Sequence, residues 1–311
     1  MAKVVTLTPN PALDVATHVD RLVPEHKLRC GPVRRDPGGG GINVARVIHR
    51  LGGKAVAVFP AGGSTGDLLQ GLLRAEGVDA RAVKAAGATR ESLHVSDAGG
   101  AQYRFVLPGE PLSESEWTAC RDTALAETGE GDFLVGSGSL PPGVLADFYA
   151  GAFTAAKAKG AKTVIDTHGP PLDAALAQGV YLLKASAREM ATHLGHRPAD
   201  AASWCGACSG VVRGGKAEIV IVTLGAEGAV LIGAGQALHA TVPVVKALTS
   251  VGAGDAFLGG FLFKLESGAA MDAALRYAAA CGTAALLSHG TGLSDPAQVE
   301  RLLAQVAITE L

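Results

Sequence analysis

What this sequence does without narrows the field before any motif is read. Nowhere does it hold the roughly 18 uninterrupted apolar residues that a membrane-crossing helix needs, and its opening stretch MAKVVTLTPNPALD has no long apolar leader segment. Charge of one sign is missing too. The chain's 27 Lys and Arg stand against 29 Asp and Glu, a formal -2, so nothing draws it as a whole to nucleic acid or an anionic membrane. A disulfide framework is excluded because Cys30, Cys120, Cys205, Cys208 and Cys281 are an odd, scattered set in a long chain. These absences describe a soluble, cytoplasmic protein with reduced thiols and no nucleic-acid or membrane partner.

Ready-made metal sites are scarce as well. Cys205 and Cys208 form a CxxC, but no second pair or His-x-His completes a zinc ligand set, and two thiols on one helical face is the simpler reading. His193 and His196 are likewise spaced for one helical face and read as solvated surface residues. No GxxxxGK[ST] phosphate loop occurs, and no linker or low-complexity run divides the chain.

What is there is a chain of 311 residues, 48% hydrophobic and 18% charged, able to bury a large core. From residue 130 onward, GDFLVGSGS, AKTVIDT, GVYLLKAS and AEIVIVTLG are apolar runs separated by helical segments, the pattern of a parallel sheet buried on both faces. AVLIGAGQALHAT at 229 to 241 reads as a hairpin, and alanine-rich helices at 254 to 267 and 271 to 287 close the fold. In the first third, VVTLT, KAVAVFPAGG, SLHVSD and QYRFVLPG are short β runs, with helices at 42 to 52 and 65 to 76. Strands near 16 to 20, 29 to 36 and 92 to 107, not interleaved with long helices, predict a small β-element over the strand ends, where open α/β sheets bind ligands. The expectation is one α/β domain with a β-lid.

Two glycine loops carry the chemistry. In DPGGGGINVARVIHRLGG, Gly38 to Gly41 run straight into a helix bearing Asn43; such a loop either cradles a polar ligand or simply turns the chain. In TSVGAGDAF, Gly252, Ala253 and Gly254 make a tight turn whose N–H groups can surround negative charge on a phosphoryl group in flight. Asp255 beside them is either a general base for an attacking hydroxyl or the cap of the following helix.

In this order and at this separation, GGGGINVAR and TSVGAGD resemble the two signatures of the ribokinase-like carbohydrate kinases, the phosphofructokinase B family. TLTPNPALD, HKLRC, FPAGG, QYRFVLPG, SGSLPPGV and LLSHGTG are similar to stretches of its bacterial 6-phosphofructokinase branch, so the resemblance spans essentially the whole chain. It implies a ribokinase-like three-layer α/β fold, with a central, mostly parallel sheet flanked by helices. The single domain, 1 to 311, would carry a small β-sheet lid from segments near 15 to 36 and 90 to 107. It further implies transfer of the γ-phosphate of MgATP to a primary hydroxyl of a sugar phosphate, and a homodimer paired through the lids.

The resemblance also implies roles for particular residues. Asp255 is the catalytic base and Gly252, Ala253 and Gly254 are the anion hole. Asp14, Gly39, Gly40, Gly41 and Asn43 hold sugar hydroxyls, while Lys27, Arg90, Arg104 and Ser139 fall at substrate-side positions, the cations suiting a resident phosphate. ATP is wrapped by Thr223, Gly225 and Gly228, with Lys184 near its phosphates and Ala279 and Thr283 near adenine. Where relatives carry Asn-x-x-Glu for magnesium handling, this chain has Ser186 and Glu189; a hydroxyl lacks the amide's carbonyl and NH2 pair. Thr249, Val251, Ala285, Ser288 and Gly290 fall on a monovalent-cation loop that takes potassium.

Fructose 6-phosphate is the expected acceptor. Fructose 1-phosphate and tagatose 6-phosphate remain alternatives, an unphosphorylated acceptor such as ribose or adenosine is disfavoured by Lys27 and Arg90, and a non-enzymatic sensor is disfavoured by the intact GAGD.

Overall fold

A run such as FLVGS can be buried throughout only if helices cover the sheet on both sides, and the computed structural model, which describes residues 2–233, 235–288 and 290–311, has that arrangement. Ala234, inside the predicted hairpin, and His289, inside LLSHGTG, lie outside the described residues. The large sheet runs β5 (Ala80–Lys84), β4 (Ala55–Ala61), β1 (Val4–Leu7), β8 (Phe133–Ser137), β9 (Lys162–Asp166), β10 (Val180–Ser186) and β11 (Ala217–Thr223), all parallel. β12 (Ala229–Gly233), β13 (Gln236–Thr241) and β14 (Ala307–Glu310) then extend it antiparallel.

Because successive side chains point to opposite faces, each strand feeds two cores. Phe133, Val135, Ile219 and Ile221 join one; Leu134, Val220 and Val222 join the other. The first is closed by α1 (Gly40–Arg50), α2 (Gly63–Glu76), α8 (Ala253–Glu266), α9 (Met271–Ala285) and α10 (Pro296–Leu303), through residues such as Ile42, Leu69, Phe261, Ala278 and Val299. The second is closed by α3 (Glu114–Glu127), α4 (Phe148–Ala158), α5 (Pro170–Ala177), α6 (Ala187–Leu194) and α7 (Ala201–Arg213), through Cys120, Tyr149, Leu172, Met190 and Trp204. The result is the expected three-layer α/β fold with a mostly parallel sheet.

A second sheet holds β3 (Arg34–Gly38), β2 (Ala12–Val19), β6 (Arg90–Asp97) and β7 (Gln102–Val106) in that order. The strand expected over 29 to 36 begins only at Arg34. Pro32, which has no N–H for a ladder, stands before it, and residues 20 to 33 form a loop pinned where Gly31 N–H donates to the carbonyl of His18. Four elements escaped the sequence reading: β5, α3, α10 and β14. The last two follow the helices expected to close the fold, and β14 pairs with β13 as the edge strand. α6 stops at Leu194, so His196 does not share a helical face with His193, whose Nδ1 instead lies 2.9 Å from Asp173. Cys205 and Cys208 are free thiols on α7.

α8 crosses α1 closely, since a Cβ on Gly259 would lie 2.9 Å from Val47. Phe261, fully buried on α8, anchors that pair to the sheet. Phe261→Ala should therefore lower stability by about 3–5 kcal/mol, read as a fall in the urea midpoint with an unchanged slope.

Candidate functional site

Parallel strands all deliver their C-terminal ends to one edge of the sheet, and that edge is where this chain collects its charged groups. β8 ends at Ser137, β9 at Asp166 and β10 at Ser186, two residues beyond Lys184. Lys184 and Asp166 meet at 2.9 Å with side chains only 6% and 10% exposed. Asp166 was not singled out from the sequence; the signal that could have found it is a carboxylate ending the apolar run TVID at a parallel strand's C-terminus.

α8 begins directly above this pair. Gly252, its N-cap residue, has φ 74, the left-handed conformation that glycine adopts without strain. Gly254 has no room for a side chain: a Cβ there would lie 2.7 Å from the Lys184 ammonium nitrogen. The turn thus brings its free N–H groups and a buried cation to one place. Asp255 occupies the first turn but accepts no helix N–H among the described residues. Its Oδ2 receives the side-chain N–H of Asn43 at 2.9 Å, from α1 and 212 positions away in sequence. Its Oδ1 faces the other glycine loop, 3.4 Å from where a Cβ of Gly40 would stand, and that same Cβ would run into Ser137 Oγ.

The electrostatics follow from this crowding. Burial raises the Asp255 carboxyl pKa, while the Lys184 charge and the Asn43 bond pull it back without cancelling the rise. Burial pushes Asp166 up to about 6, against the pull of Lys184 and with the added repulsion of Asp255. For Lys184, burial works against the ammonium, but Asp166 and Asp255 outweigh it and the pKa is raised. The cation is therefore held charged by two carboxylates, one of them poised to take a proton.

On the lid side, Asp14 in β2 is buried against the glycine loop, so close that a Cβ on Gly38 would overlap its carboxylate. His94, two residues along β6 from Asp14's register partner Ser92, brings Nε2 to 3.7 Å of Asp14 Oδ1, and neither ring nitrogen has a hydrogen-bond partner. Arg90 donates to the carbonyls of Asn10 and Leu107, and Asn10 in turn donates to Ser139 Oγ at 3.3 Å. Arg104 donates to Ser250 Oγ at 3.4 Å, linking the lid to the GAGD turn. Burial lowers the pKa of both arginines, with Asp14 countering it. Lys27 and its neighbour Arg29 lie exposed on the 20 to 33 loop, away from these contacts. Asn10 and His94 went unnoticed in the sequence, since neither belongs to a glycine loop.

A cavity of about 330 Å³ opens on the far side of the GAGD turn. Thr223, Gly225, Gly228, Phe257, Ala279 and Thr283 line it, with Val242 and Val245 completing an apolar slot of the size that takes a flat heterocycle. The Thr283 hydroxyl is spent on the carbonyl of Ala279, so that residue offers its methyl. Ser186 caps α6: its Oγ accepts the Glu189 N–H and donates to Glu189 Oε2, which also receives the Ser186 N–H. Burial tends to raise Glu189, but these bonds prevail and its pKa is lowered. No group of three metal-ligating side chains occurs among the described residues. The 249 to 251 segment is tied to the end of α9, where the N–H groups of Leu248 and Thr249 both donate to Leu286; Ser288 Oγ donates to Leu293. Thr249, Val251 and Gly290 line one cavity.

Comparison with known proteins agrees with this geometry. The chain is 42% identical over 302 residues to ATP-dependent 6-phosphofructokinase isozyme 2 of Mycobacterium tuberculosis, covering 96% of this chain and 88% of the relative. It is 40% identical to the Escherichia coli protein of the same name, covering 99% and 100%. A 1-phosphofructokinase of Xanthomonas campestris is 33% identical, with 82% of each chain covered. Among solved structures, Escherichia coli phosphofructokinase-2 in complex with fructose-6-phosphate superposes with a TM-score of 0.92 at 38% identity, covering 98% of this chain and 99% of that one. The same enzyme in complex with potassium gives 0.93 at 39%, with the same coverage. Residues 10–298 match the pfkB family carbohydrate kinases, and the chain belongs to that family.

Proposed function

We propose that this chain is an ATP-dependent 6-phosphofructokinase, transferring the γ-phosphoryl group of MgATP to the C1 hydroxyl of fructose 6-phosphate to give fructose 1,6-bisphosphate and ADP. The observation that carries the reading is Asp255, its pKa raised by burial, standing between a glycine loop on the sugar side and an N–H turn on the nucleotide side. The kinship with 6-phosphofructokinases at 40–42% identity, against 33% for a 1-phosphofructokinase, supports the choice of acceptor.

In this reading the single kinase domain spans the chain, and its lid, from segments near 15 to 36 and 90 to 107, covers the sugar. Asp14, the backbone of Gly39 to Gly41 and Asn43 hold its hydroxyls. Arg90, half-buried, and Arg104, exposed where its side chain reaches toward Ser250, take the resident phosphate with Ser139, and Lys27 meets it from the rim. ATP lies along Thr223, Gly225 and Gly228 with its base in the slot beside Ala279 and Thr283. As the sugar oxygen attacks the γ-phosphorus, its proton passes to Asp255 and the bond to the β-phosphate oxygen breaks. The N–H groups of Gly252 to Gly254 and the Lys184 cation stabilise the charge on the group in flight.

Glu189 would help hold, indirectly, the magnesium that enters with ATP, and that ion would neutralise charge on the phosphates. A potassium ion would sit among Thr249, Val251, Ala285, Ser288 and Gly290 and steady the turn. The free cysteines, and the absence among the described residues of a helix able to cross a membrane, fit a cytoplasmic enzyme of sugar-phosphate metabolism.

A homodimer through the lid completes the reading. Leu93 and Phe105 are register partners on the lid face opposite His94 and Arg104, and are 38% and 48% exposed; Leu107 beyond them is 53% exposed. An uncovered apolar sheet face of this kind is a liability that a second copy removes.

Three outcomes test these statements. Asp255→Asn should lower kcat with fructose 6-phosphate by roughly 10²- to 10⁴-fold while calorimetry shows both substrates binding within a few-fold; near-normal turnover removes the base. Because the base acts deprotonated and its pKa is raised, kcat should fall as pH drops through a value above the roughly pH 4 of an ordinary carboxylate. A profile flat down to that point contradicts the assignment. Phe105→Asp should halve the mass seen by light scattering, from twice 31.3 kDa to one chain, and a wild-type protein already at one chain ends the dimer proposal.

A further inference from the structure

Arg46 is the largest fully buried side chain among the described residues, and a cation with no exposure demands a reason. It sits on α1 one turn after Asn43. Its guanidinium makes four bonds: Nε and Nη2 donate to the two carboxylate oxygens of Glu76 on α2 at 2.8 and 2.6 Å, and Nη1 donates to the carbonyl of Pro37 at 2.8 Å and to Asn43 Oδ1 at 3.1 Å. Stability alone is a weak account of such a pair, because a buried ion pair replaced by apolar groups of similar volume often leaves a protein as stable.

The Asn43 contact supplies a better one. The two ends of an asparagine amide have nearly the same shape, and nothing in the side chain itself selects which end faces Asp255. Guanidinium can only donate and carboxylate can only accept, so one orientation alone satisfies both neighbours: the oxygen toward Arg46, the NH2 toward Asp255. That NH2 engages Asp255 Oδ2, which leaves Oδ1, the oxygen on the Gly40 side, as the atom free to meet an acceptor hydroxyl.

The geometry points to Arg46, clamped by Glu76, as a positioning residue for the catalytic base: it locks the Asn43 amide so that Asp255 presents Oδ1 to the sugar. This rests on the reading of Asp255 as the base. Glu76 extends the same control further, because Arg50 also reaches it, at 3.4 Å, and donates to the carbonyl of Gly292 beside the cation loop. One carboxylate on α2 therefore ties the base, the strand before the glycine loop and the loop after α9 to a single point.

Asp255 is faced by Asn43 from α1, Lys184 from β10, Asp166 from β9, Asp14 from β2 and Arg104 from β7, and of these only Asn43 is touched by Arg46. The test compares Arg46→Met, Arg46→Lys and Glu76→Gln, measuring kcat and KM for fructose 6-phosphate across pH. In Arg46→Met the amide is free to turn, so kcat should fall on the order of 10- to 100-fold with KM within about threefold. The acid limb of kcat should also move to higher pH, since a carboxylate that loses an N–H donor binds its proton more tightly. Arg46→Lys should recover part of both effects, and Glu76→Gln should move the limb in the same direction by less. A folded Arg46→Met with the wild-type kcat and limb overturns the proposal. If that variant does not fold, Glu76→Gln decides, and an unmoved limb there overturns it equally. Turnover surviving in Asp255→Asn is a different failure, which removes the base and not merely its positioning.

Discussion

The hydrogen bond from Asn43 to Asp255 joins two helix starts that come from opposite ends of the chain, and the site exists only because they converge. α1 leaves the glycine loop after β3, and α8 leaves the GAGD turn after a long excursion through ten further strands. Each helix start alone is an ordinary place for an anion. Packed side by side, with a glycine on α8 letting it approach Val47, they open onto one carboxylate from two sides. A substrate pair whose reacting atoms must lie in line is matched by that opposition, and neither loop could supply it alone.

Around this contact the charges are balanced narrowly. Two carboxylates, Asp166 and Asp255, share one buried ammonium, so the three groups together carry one negative charge if all are ionised. Removal from water raises both pKa values, with Asp14 repelling Asp255 and Asp255 repelling Asp166, which is pushed up to about 6. A group in flight with three equatorial oxygens adds more negative charge to the same space. In the proposed reaction the acceptor's proton passes to Asp255, a carboxylate whose pKa burial already raises. The same physics explains why the site lies at the strand ends, where a buried sheet edge shields the charges and free N–H groups compensate them.

Legibility in the sequence followed range of interaction. GGGGIN and VGAGD could be read as chemistry because a glycine loop opening a helix is a local feature, and the apolar runs of β8 to β11 could be read as a parallel sheet because burial on both faces writes itself into every residue. Asp166 and Glu76 could not be read as easily: each is one acidic residue among 29, and its meaning lies in a partner 18 or 30 positions away. The cap reading of Asp255 was equally local and equally sound, and only the arrival of Asn43 from α1 separates it from the alternative. β14 was missed for the same reason, since four residues mean little until β13 is there to pair with them.

The lid shows how one sheet can serve two partners. Its strands alternate, so Asp14, His94 and Arg104 turn toward the GAGD turn while Leu93 and Phe105 turn away. Hydrogen bonds from Gln102 to Leu248, Arg104 to Ser250 and Thr291 to Asp36 fasten the inner face to the loops around α8. A four-stranded sheet held mainly by such polar contacts, with no core of its own on the outer side, gains rigidity only if that outer side is covered. Under the proposed dimer, covering Leu93 and Phe105 and holding Asp14 and Arg104 in place are one constraint, because all four belong to one sheet.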